Sequence, residues 1–143
     1  MGKRYLLILG LAIVALTAPM TLFAKEMASK PDQERSVSKH LSHRGVFSLI
    51  LTAHVKGSGC VYYYAKHEHE AYVTRSDNGA RFNVEKIVLH SNIGGDFKSM
   101  TCTNTSSCGR TEQEYNLGCR HSCASATATY RGQTWGTAWT CIW

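Results

Sequence analysis

His67 and His69 stand two residues apart in the run Tyr62–Phe82, "YYYAKHEHEAYVTRSDNGARF". On an extended strand, residues at that spacing share a face, so both imidazoles project the same way. Asn78-Gly79 follows, and both residues tolerate the positive φ of a two-residue hairpin turn. A hairpin centred there sets Val73 opposite Val84, His69 opposite Val88 and His67 opposite His90. Directly opposed Cβ atoms lie about 4.5–5.5 Å apart. His67, His69 and His90 would then form a three-imidazole site of the kind that holds zinc or copper. The competing reading is a strand with solvated or hydrogen-bonded histidines, and a bulge within Lys66–Glu70 would part His67 from His69. The strand is long enough for a bulge or turn there to be expected.

Glu68 and Glu70 point the other way, beside Lys66 and Tyr72. Two carboxylates could serve glycoside cleavage as acid and base, but only within a cleft, and a strand edge shared with a lysine is a solvated face. There is no G-x-S-x-G nucleophile elbow. Gly57–Gly59, "GSG", is turn chemistry and not a phosphate cradle. The expectation is a protein that is not an enzyme.

The aromatics offer contact area. Tyr62, Tyr64 and Tyr72 share the face of Lys66 and the glutamates, and this exposed group is the expected partner-binding surface. Trp135, Trp139 and Trp143 share one face of the last strand with Thr137 and Cys141. Exposed rows of that kind stack on sugar rings or sit at membrane interfaces. Here the opposing alanines and the cysteine assign the row to the core.

Positioning these groups requires a fold, and the first constraint on it is export. Lys3 and Arg4 precede the apolar run Leu6–Leu16, Pro19 breaks it, and a small residue stands at Ala24. That order is a secretory signal peptide over residues 1–24, although Leu22 is not ideal three positions before the cut. The apolar run is short for a bilayer span, which needs about 20 residues, so no stable membrane span is expected after cleavage. Six cysteines remain, Cys60, Cys102, Cys108, Cys119, Cys123 and Cys141. In an oxidising compartment they read as three disulfides of undetermined pairing. A zinc cluster is the rival, but none of the spacings is C-x2-C.

The net charge is +6, which becomes +4 without Lys3 and Arg4. No basic run or helical stripe is present, and nucleic acid is not an expected partner. Residues 25–44 are polar and read as a flexible leader. Residues 45–143 read as one disulfide-rich domain.

Its periodicity is mostly two. Phe47, Leu49, Leu51, Ala53 and Val55 share a face, and "RFNVEKIVLH" reads as the return strand after Asn78-Gly79. Arg131-Gly132 reads as a second hairpin turn, facing Ala128 to Trp135, Ala126 to Thr137 and Ala124 to Trp139. Thr111–Glu114 fits a capping box, which predicts a short helix over Glu112–Leu117 in a cysteine-rich loop. The expected fold is mainly β: a small disulfide-stapled sandwich or open barrel of two or more hairpins. A membrane β-barrel is the weaker structural rival, because the region Cys102–Cys123 lacks its alternation. Asn104-Thr105-Ser106 is a glycosylation sequon, meaningful only in a eukaryotic host.

The run Tyr62–Arg81, with tyrosines, histidines, "YVT" and an Asn-Gly turn, resembles the lactococcin-type secreted bacteriocins. The likeness covers about twenty of the 143 residues, and the six cysteines depart from that family. It implies a small exported β-rich toxin and assigns no residue a role. The primary expectation is a secreted or periplasmic, non-enzymatic binding protein, its partner a protein, glycan or cell-surface ligand. A bacteriocin-like toxin or effector is the first alternative. An extracytoplasmic metal-binding protein using the three histidines is the second.

Overall fold

The structure is a computed structural model describing residues 33–41, 47–57, 60–61, 65–114 and 118–143. The signal peptide, Tyr62 and Tyr64 lie outside the described residues. Eleven strands and no helix are present among those described: β1 (Gln33–Leu41), β2 (Leu49–Gly57), β3 (Cys60–Val61), β4 (Ala65–Arg75), β5 (Val84–Ile93), β6 (Asp96–Thr105), β7 (Ser107–Glu114), β8 (Gly118–Cys119), β9 (Ser122–Tyr130), β10 (Gln133–Gly136) and β11 (Thr140–Ile142).

They form two antiparallel sheets. The first has the order β1-β2-β4-β7; the second has the order β10-β9-β5-β6, with β11 also on β9. A two-strand ladder, β3-β8, stands apart. Alternation builds the core, as the sequence pattern requires. Leu49, Leu51 and Ala53 of β2 with Ala71 and Val73 of β4 meet Ile87 and Leu89 of β5 with Ala126 and Ala128 of β9 in one buried cluster. The small alanines of β9 let the facing sheet approach closely.

The Asn78-Gly79 signal is a real turn that does not make a long hairpin. Gly79 has φ 69°, Asn78 Oδ1 accepts from the Ala80 amide, and the Arg75 amide donates to the Ala80 carbonyl. Beyond the single bridge Thr74–Arg81, the chain leaves for the second sheet. The cause is edge occupancy. β2 takes one edge of β4 along its length and β7 takes the other, so β5 pairs instead with β6 and β9. The expected opposition of His67 to His90 is thereby corrected: His67 faces Gly57 and Glu112.

No bulge interrupts β4, whose registers with β2 and β7 are continuous. The predicted helix over Glu112–Leu117 is also corrected. Thr111 to Glu114 finish β7, where the ladder to β4 satisfies the backbone groups that a helix would have paired; residues 115–117 lie outside the described residues. β1 falls within the stretch read as a leader and pairs with β2 over all nine residues. Ladder hydrogen bonds hold it more than burial does, since Val37 and Leu41 alone of its side chains pack on the main core.

Two disulfides are formed among the described residues. Cys102–Cys108 links β6 to β7, and hence one sheet to the other, while Cys123–Cys141 links β9 to β11. Arg131 (φ 49°) and Gly132 (φ 74°) make the expected two-residue turn, with Ala128 opposite Trp135 as the pattern required.

Candidate functional site

The inner row of β4 runs Ala65, His67, His69, Ala71, Val73, so two imidazoles continue an apolar series into the space between the sheets. Each is 1% exposed, with ring centroids 6.5 Å apart and planes 25° from parallel. Gly57 makes room for His67: a methyl there would stand 2.9 Å from its Nδ1. His69 Nε2 lies 2.8 Å from Ser122 Oγ on β9. Opposite the histidines, β7 presents Arg110 and Glu112. The buried Glu112 carboxylate accepts hydrogen bonds from Ser91 Oγ of β5 (3.3 Å) and from Lys98 Nζ of β6 (2.6 Å). Arg110 Nε adds a third contact at 2.8 Å. Five strands from both sheets thus meet in one polar knot.

Its electrostatics follow from burial and charge. Desolvation lowers the His69 pKa to about 4; Glu112 opposes that shift, while His67 and Arg110 reinforce it. Burial pushes the Glu112 carboxyl up, but the Lys98 hydrogen bond and the Arg110, Lys98 and His69 charges outweigh it and hold the group below the usual range. Lys98 is raised in turn by its bonds to Glu112 and Asp96.

A serine on an imidazole with a carboxylate nearby is the atom set of an activated nucleophile. The geometry serves a different purpose. Ser122 is 0% exposed, and His69 Nδ1 is buried with no hydrogen-bond partner among the described residues. Glu112 therefore does not orient the ring, and its oxygens are taken by three donors. The knot cross-links two sheets.

The three expected metal ligands are not brought together. His67 and His69 are neighbours, whereas His90 lies on the outer row of β5, its Nδ1 2.9 Å from Ser99 Oγ. Among the described residues, no group of three or more His, Cys, Asp or Glu side chains is arranged to hold a metal ion.

The two outer faces differ in character. That of the first sheet is laced with charge: Glu68 pairs with Lys66 and Glu70 with Arg81, as a solvated face should. Tyr72 belongs to this face, half-buried beneath the Arg81 guanidinium at 3.7 Å. The second sheet's outer rows follow from its register. Asn92 faces Phe97, His90 faces Ser99 and Ser125, and Val88 faces Thr101 and Thr127. Among the paired outer positions of β5, β6 and β9, Lys86 is the one Lys, Arg, Asp or Glu, with the exposed Glu85 next to it in β5.

Above this face stand the tryptophans that the pattern assigned to the core. Three residues separate Gly136 from Thr140 on one side, while two separate Thr127 from Ala124 on the other. That extra residue is a bulge, and it reverses the alternation. Trp135 stays inside at 8% exposure; Trp139 and Trp143 turn outward at 46% and 66%. Ala124 consequently faces Thr140 instead of Trp139. Phe97, 68% exposed, reaches from the far edge, and its ring meets Trp139 edge-on at 6.0 Å. Since β9 and β5 lie between their strands, the two rings arch over the face. Cys123 and Ser125 share the outward parity of β9 and are nonetheless buried, Cys123 in its disulfide with Cys141.

Sequence reasoning passed over Glu112, Arg110 and Lys98 because a capping-box match masked the alternation of Arg110 and Glu112. It passed over Phe97 as well. The signal for the bulge was Gly136, since glycine inside a strand marks such sites; a methyl there would stand 3.2 Å from the Ala126 carbonyl oxygen. No protein-family model matches the chain, and no curated protein or solved structure is significantly similar to it.

Proposed function

We propose that this is an exported binding protein, without turnover, that contacts its target through the outer face of the second sheet. The observation carrying this reading is the exposure of three large aromatic rings, Phe97, Trp139 and Trp143. Such area is costly in water unless a partner covers it. Two disulfides support an oxidising compartment. The sealed Ser122–His69 contact supports a non-catalytic role.

The rival surface is the tyrosine group Tyr62, Tyr64 and Tyr72. Co-sedimentation with washed cell envelopes of the producing organism separates the two. The wild type and a Tyr62/Tyr64/Tyr72→Ala variant should sediment, whereas a Phe97/Trp139→Ala variant should stay in the supernatant. The reverse pattern transfers the contact to the tyrosines, and a wild type that never sediments removes the envelope as the target.

A further inference from the structure

The contrast between the outer faces also bears on what is bound. Resting on the reading above, we propose that the ligand is an uncharged polysaccharide, lying across the second sheet with sugar rings against Trp139 and Phe97. A polyanion or an acidic peptide would need cations aimed at it. The outer rows of β5, β6 and β9 offer Lys86 and His90, while the opposite outer face carries its charge as the Lys66–Glu68 and Arg81–Glu70 pairs.

What this face presents instead are flat rings and hydroxyls. Ser99 and Thr101 stand on β6 and Thr127 on β9, in rows that continue from the aromatic arch. A sugar unit has the complementary make-up, with C–H faces that pack on an aromatic ring and a rim of hydroxyls that both donate and accept. Ser and Thr hydroxyls match that rim because each can do either. Trp is also suited to the contact, as it offers large rigid area at little entropic cost. A sheet face, unlike a closed pocket, accommodates a chain longer than the protein is wide. A lipid surface would use the rings but leave the hydroxyl rows without a role. A second copy of this chain would stack the two arches symmetrically.

The experiment is retention of the intact secreted protein on defined probes. Chitin, cellulose and a soluble β-glucan serve as neutral polysaccharides, alginate and heparin as anionic ones, and phosphatidylcholine/phosphatidylglycerol vesicles as the lipid surface. Binding is expected to at least one neutral polysaccharide. It should weaken at least tenfold in both Trp139→Ala and Phe97→Ala, stay unchanged in Tyr72→Ala, and hold steady as salt rises. Both ring positions are exposed, so the variants should fold, and near-ultraviolet circular dichroism checks this. Retention only on alginate or heparin, or only on vesicles, overturns the polysaccharide assignment, as does self-association seen by sedimentation velocity without retention. Envelope sedimentation that depends on Phe97 and Trp139 while every neutral probe fails overturns this inference and leaves the binding face standing. Failure on envelopes and probes alike removes both.

Discussion

His69 on one sheet and Ser122 on the other are joined by a 2.8 Å contact between Nε2 and Oγ, deep between the layers. The imidazole is held at a site where its charged form is disfavoured, which links stability to pH. The folded-state pKa is about 4, against an ordinary 6.5. Unfolding therefore takes up a proton between those values, and stability rises with pH across that window. The His69 contribution is complete above about pH 6.5 and is lost progressively as pH falls toward 4, with a ceiling of about 3 kcal/mol. Glu112, held below its ordinary value, loses stability in the same direction at lower pH. Urea titrations at pH 7, 5.5 and 4 should show the midpoint falling, and His69→Gln should flatten that fall. A midpoint independent of pH between 7 and 4 would sink this account.

The bulge before β11 yields a contrast between two residues four apart. Trp135 packs in the main core and Trp139 stands in solvent. Trp135→Ala should cost about 3–5 kcal/mol by emptying packed volume, whereas Trp139→Ala should stay within about 0.5 kcal/mol. Equal losses in thermal or urea unfolding would mean that the alternation is not reversed.

How far the sequence was legible depended on whether one period held. β2 obeyed it, and Leu49, Leu51, Ala53 and Val55 are all fully buried. The Arg131-Gly132 turn was legible because two positive-φ residues fix a two-residue loop locally. Pairing beyond the turn was not. The sequence around Asn78-Gly79 specifies a reversal, but which strand occupies the edge of β4 is settled by β7, which begins 28 residues after Gly79. Gly94-Gly95 was the hairpin signal overlooked, with φ of 56° and 99° and Ile93 opposite Asp96. The polar knot was hidden for a related reason: His69, Ser91, Lys98, Glu112 and Ser122 converge only once both sheets are assembled.

Cysteine connectivity was likewise beyond spacing alone and is now constrained. With Cys102–Cys108 and Cys123–Cys141 formed, Cys60 and Cys119 remain, and the β3–β8 register sets them directly opposite. Opposed residues on antiparallel strands have Cα atoms about 4.5–5.5 Å apart, inside the range a disulfide needs. Peptide mapping of the unreduced protein should recover a Cys60–Cys119 crosslink. Peptides carrying Cys60 joined to any other cysteine would contradict the register.

Gly57 and Gly109 lie on the two strands that flank β4, and a methyl group distinguishes their roles. At Gly57 it would stand 2.8 Å from the Lys66 carbonyl oxygen and 2.9 Å from His67 Nδ1. The first is backbone on a central strand paired on both sides, and the second belongs to a buried ring, so neither yields cheaply. Gly57→Ala should cost about 1–3 kcal/mol, the range for overpacking a filled interior. At Gly109 the nearest atoms would be 3.7 and 3.8 Å away, ordinary contacts on an outward-facing position. There the substitution removes unfolded-state freedom without strain and should stabilise by about 0.5–1 kcal/mol. Opposite signs in matched urea titrations are the expected result. If both variants shift the same way, the space beside His67 is larger than the geometry allows, and the close fit of the histidine row against β2 is mistaken.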